Sequence, residues 1–153
     1  MSTAGPRRRA REAALQVLYA ADAAHGLEPE AVARVHAELI VEFQLAKRTR
    51  ERSLEITAGV ACNLKRIDEA ITSASERWKL SRIAAVERNI LRIGTFELLF
   101  EPETPTEVIL DEAVEIARRF GGDAAPSFVN GVLDEIAKLR TRGSDRALEE
   151  PAR

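Results

Sequence analysis

No stretch limits the fold of this chain more than Val86–Phe100, which reads VERNILRIGTFELLF. Wound at 3.6 residues per turn, Val86, Ile90, Leu91, Ile93, Phe96, Leu98, Leu99 and Phe100 point in almost every direction. A helix of this kind has no single apolar stripe and needs neighbours on several sides, so the spacing predicts a central helix. Gly94 inside it costs about 1 kcal/mol relative to Ala, which is simplest to explain if another helix backbone comes close there. Glu87, Arg88, Asn89 and Arg92 fall in the first two turns, where the helix is expected to emerge at a surface.

The rest of the chain supplies the neighbours. At 153 residues, with 5% aromatics and only eight Gly, composition favours an all-α domain. A first helix follows Pro6 and stops at Gly26; a second starts at Pro29 and ends in the basic segment Lys47 to Arg52; a third runs from about Arg52 to Ser75 with Gly59 inside. These form an N-terminal helical subdomain over residues 6–76, and the Trp78 region is the joint to a C-terminal helical subdomain over residues 80–140. Ser81 reads as an N-cap before the central helix. Thr104, Pro105 and Glu107 read as a capping box opening the next helix, which Gly121-Gly122 ends; Pro126 opens the last. Beyond Thr141 the apolar pattern stops and residues 141–153 are expected to be a disordered tail.

Most chemistries are disfavoured by the same inventory. One cysteine, Cys62, cannot form an internal disulfide, and no apolar run is long enough for a membrane span, so a cytoplasmic protein is expected. His25 and His36 read as ordinary surface residues, too few and too scattered with Cys62 for a metal site. No phosphate loop is present, and the carboxylates Asp111, Glu112, Glu115, Asp134 and Glu135 read as solvated helix faces. No enzyme, cofactor or metal is expected.

Two features remain. Arg7, Arg8, Arg9 and Arg11 precede any acidic residue, in a helical turn that prefers negative charge by roughly 0.3–1 kcal/mol per residue. They are either a solvated flank or an anion-binding patch in which guanidinium forks and free amides face one ligand. The second feature is Phe128-Val129-Asn130-Gly131, where Asn130 and Gly131 are poor helix formers and Asn can hydrogen-bond bases or phosphates. Phe128 reads as core when taken alone; exposed near the arginines it would be a stacking platform for single-stranded nucleic acid.

The segments RRRAREAALQVLYA, WKLSRIAAVERNILRIGTFELL, VILDEAVEIARRFG and FVNGVLDEIA resemble, in order and spacing over residues 6–140, the NusB family of transcription antitermination factors. The resemblance implies an all-α, NusB-like fold of two subdomains and a non-enzymatic role. It also implies pairing with NusE, a small-subunit ribosomal protein, binding of single-stranded boxA RNA, and entry into an RNA polymerase antitermination complex on ribosomal RNA operons. By position, Arg7, Arg8, Arg9 and Arg11 match the family's arginine-rich RNA-binding motif, and Ser127 and Phe128, with Asn130 beside them, match the RNA-contacting start of the last helix. Tyr19 and Glu87, with Arg88, match positions facing NusE. Asp111 stands where many relatives have Asn, and the 122–126 loop is poor in polar residues. Family members occur as monomers or homodimers. Two alternatives stand: the NusB-like module of certain RNA methyltransferases, for whose methyl-donor domain the chain leaves no room, and a helical dimerisation adaptor that binds no RNA.

Overall fold

Every residue from Asn89 to Leu98 is buried in helix α5 (Ala85–Phe100), as the all-round apolar pattern requires. The computed structural model describes residues 5–24 and 26–149, with side chains described through residue 140. Around α5 lie α1 (Pro6–Ala24), α2 (Pro29–Ile40), α3 (Lys47–Cys62), α4 (Leu64–Ala74), α6 (Thr106–Phe120) and α7 (Ala125–Glu149), with a 3₁₀ turn at Leu80–Arg82. No strand occurs among the described residues. One hydrophobic cluster draws on both halves of the chain, from Leu18 and Ile56 to Ile116 and Leu133. Helix α7 is traced to Glu149, past the point where the apolar pattern ends; residues 150–153 lie outside the described residues.

The close approach anticipated at Gly94 is made by a side chain, not a backbone: a Cβ there would stand 2.8 Å from Cδ1 of Leu133 in α7. Helix α1 ends where Gly26, at φ +83°, donates its N–H to the carbonyl of Ala21, a conformation that costs glycine least.

Several local expectations are corrected. The third helix is broken at Asn63, whose amide Nδ2 donates back to the Gly59 carbonyl at 2.8 Å; the side chain competes with the backbone ladder at that point. Lys47 to Arg52 begins α3 and does not end α2. The capping box does not form: Pro105, and not Thr104, is the N-cap of α6, without a side-chain cap bond. Ser81 lies inside the 3₁₀ turn, whose N-cap is Lys79.

Asn89 and Arg92 are buried and not at a surface. Oδ2 of Asp22 in α1 accepts from Arg88, Asn89 and Arg92 at 2.9–3.1 Å, and Arg92 also grips Asp68 of α4 through two bonds. Burial alone would raise the Asp22 carboxyl pKa, but these donors and the Arg92 charge hold it below the ordinary value. The network ties α1 and α4 to the first turns of α5. His36 is also buried and bonds Ser53 at 2.9 Å. Because the Ser53 hydroxyl donates to the Arg50 carbonyl, it accepts from His36 Nε2, which fixes the neutral tautomer. His25 lies outside the described residues.

Candidate nucleic-acid interface

The four arginines of the first helix do not share one environment. Arg7 and Arg9 are exposed, and neither forms an ion pair with another described residue. No acidic residue occupies the first turn of α1, so its free amides and dipole add positive potential. Arg8 is half-buried and holds Glu112 of α6 with bonds of 2.6 and 3.0 Å. The hydrogen bond from Arg8 lowers the Glu112 carboxyl pKa against the opposing effect of burial.

Arg11 is withdrawn from the surface. It is only 7% exposed and donates two bonds, of 2.7 and 2.8 Å, to Glu97, which is 0% exposed. Its guanidinium neutralises a carboxylate at the α1–α5 contact and cannot reach a strand outside. The sequence places all four arginines on one helix end; a fully buried acid 86 residues away removes one of them.

At the other end of the bundle, Ser127, Phe128 and Gly131 of α7 line a groove of about 460 Å³ with Arg77, Trp78 and Glu135. Phe128 is half-buried against the core, Ser127 is exposed, and Asn130 is exposed on α7 but does not line the groove. Trp78 is 53% exposed; the sequence marks it only as a joint, and its position opposite an aromatic of α7 carries no local signal.

Helix register separates the two features. Arg11 meets Glu97 and Asp22 meets Arg88, so α1 is antiparallel to α5. Gly94 meets Leu133 and Arg140 donates to the Glu101 carbonyl, so α7 is parallel to α5. At 1.5 Å per residue, Phe128 lies roughly 17 Å from Arg8 along the bundle. They also lie on different seams, α4–α7 and α1–α6, so Phe128 does not stand beside the arginines.

The expected partner-facing residues sit on α1 and α5, which the Asp22 network joins. Tyr19 is 45% exposed on α1, one turn before Asp22, whose bond to Arg88 brings the start of α5 alongside. Glu87 is half-buried there, within 3.7 Å of a Cβ built on Gly121. Arg88 is committed to Asp22 and to the carbonyls of Leu80 and Ile83, so it shapes this end without a free guanidinium. Among the described residues no group of three or more His, Cys, Asp or Glu could hold a metal ion. No helix among them is long and apolar enough to cross a membrane.

The NusB family model matches residues 8–138. A transcription antitermination protein NusB from Sorangium cellulosum is 46% identical over 134 residues, covering 88% of this chain and 93% of that protein. One from Desulfotalea psychrophila is 44% identical over 135 residues, covering 87% and 96%. Among solved structures, T. maritima NusB superposes with a TM-score of 0.74 at 38% identity, over 90% of this chain and 93% of that one. The antitermination factor NusB crystallised with NusE and dsRNA gives 0.75 at 27% identity, over 88% and 97%. Fold, family match and near full-length identity agree, and the chain belongs to the NusB family of non-enzymatic transcription antitermination factors.

Proposed function

We propose that this chain binds boxA-type RNA together with NusE in the cytoplasm and joins an RNA polymerase antitermination complex that keeps transcription of ribosomal RNA operons processive. The observation that carries the reading is the pair of exposed arginines, Arg7 and Arg9, at the positive end of α1, with Arg8 beside them. Guanidinium forks and free helix amides suit phosphate oxygens. Ser127 and Phe128 then take bases in the Trp78 groove, where a half-exposed ring offers a stacking face. Tyr19 and Glu87 form the surface for NusE, adjoining the α6–α7 turn. Arg11 acts through the fold and not on RNA.

A relative crystallised with NusE and dsRNA favours a second reading, duplex RNA as ligand, because phosphates alone would satisfy Arg7 and Arg9. Filter binding of boxA RNA, a scrambled strand and a duplex, each with and without NusE, separates the two. Preference for single-stranded boxA, strengthened by NusE, is expected. Equal retention of the duplex would favour the second reading, and no retention of any RNA would leave a purely structural adaptor. Sedimentation of the free chain decides between monomer and homodimer.

A further inference from the structure

A strand that follows the α1–α6 seam and turns round the end of α6 touches both Arg7–Arg9 and Phe128. Arg8 and Glu12 lie one turn apart on the same face of α1 and contact Glu112 and Arg119 of α6. Arg119 therefore belongs to the same seam as the arginine patch, while its backbone stands in the last turn of α6, just before the connection to Ser127 and Phe128.

Its side chain is held but open. Nη1 of Arg119 donates to both carboxylate oxygens of Glu12, at 3.0 and 2.9 Å. The guanidinium carbon sits 5.0 Å from the centroid of the Phe120 ring, and the side chain is still 52% exposed. Two contacts restrain the guanidinium, so the rotamer entropy that normally opposes an arginine contact is already reduced. Glu12 also cancels the charge, so what Arg119 presents is chiefly a flat, weakly hydrated surface. Unpaired RNA bases stack on such guanidinium planes.

Resting on the RNA-binding reading above, we infer that Arg119, braced by Glu12 and Phe120, is a third RNA contact on which an unpaired base stacks as the strand passes from the arginine patch to the Phe128 groove. The neighbouring Arg118 is paired with Glu115 on the exposed face of the helix and plays no such part.

The test compares Arg119→Ala, Arg119→Lys and Arg118→Ala in the full chain with NusE, using a labelled single-stranded boxA oligoribonucleotide and checking each fold by circular dichroism. Arg119→Ala is expected to weaken binding roughly tenfold, within the range of one lost base stack, with the salt slope unchanged because no phosphate contact is lost. Arg119→Lys keeps the charge but not the plane and is expected to stay nearly as weak; Arg118→Ala is expected to bind as the unaltered chain does. Full recovery with Lys would make the contact a charge and overturn stacking. Unaltered RNA binding by Arg119→Ala, or a loss confined to NusE binding, would overturn the inference while leaving the RNA reading in place. Failure of the unaltered complex to bind the oligonucleotide would overturn that reading itself.

Discussion

Replacing Arg11 by Ala separates a structural arginine from those proposed to bind RNA. The substitution leaves Glu97, which is 0% exposed, without the two charge-assisted bonds of 2.7 and 2.8 Å that neutralise it. Removing one partner of a buried ion pair costs about 3–5 kcal/mol, because the remaining charge stays desolvated. For a chain of this size each kcal/mol lowers Tm by about 2–4 °C, so a fall of roughly 6–20 °C is expected in thermal melts followed by circular dichroism. The double variant Arg11→Met with Glu97→Met removes both charges and fills similar volume. It is expected to melt close to or above the unaltered chain, and the non-additivity identifies the pair as the cause. Below its melting range, Arg11→Ala should keep the RNA salt slope of the parent. A stability loss under about 1 kcal/mol, accompanied by a flatter RNA salt slope, would refute the assignment and return Arg11 to the RNA.

Phe128→Ala is expected to weaken boxA binding by about 1–3 kcal/mol through lost stacking; unchanged affinity with a lowered Tm would confine Phe128 to the core it partly packs against. Gly59→Ala would place a Cβ 2.3 Å from the ring of Phe96, itself 8% exposed, and is expected to cost about 1–3 kcal/mol in urea unfolding. Nothing lies within 4 Å of a Cβ at Gly131, so Gly131→Ala should gain about 0.5–1 kcal/mol; the opposite order would contradict the α3–α5 packing. Burial holds the His36 pKa below its ordinary value, so as pH falls the unfolded chain protonates first. Stability is then present above about pH 6.5 and lost below it, and His36→Gln should flatten that part of the stability–pH curve. Asp22, whose folded pKa is also lowered, loses its contribution only at more acid pH, below the ordinary carboxylate range.

Local pattern carried most of the fold. The all-round apolar residues of α5 made it central, and Pro29, Gly26 and Gly121 marked ends that the helices respect. The break at Asn63 escaped because Val60, Leu64, Ile67 and Ile71 keep a helical period across it, while the side chain that ends α3 acts on its own backbone. Asn89, Arg92 and Arg11 were misplaced for a different reason. Their partners Asp22, Asp68 and Glu97 come from other helices, and no local spacing announces a buried ion pair. For the candidate site, the arginine run and the Phe128 turn were legible as motifs. Their separation along the bundle was not, since it depends on the antiparallel and parallel registers of α1 and α7 against α5.

The most direct measurement is the salt dependence of boxA binding by the unaltered chain and by Arg7→Ala/Arg9→Ala, each with NusE. Each phosphate contact on a single strand contributes about 0.7 to the log–log slope. The double variant is expected to melt as its parent does, bind more weakly, and show a slope shallower by about 1.4. An identical slope and affinity would mean that the exposed arginines of α1 hold no phosphate.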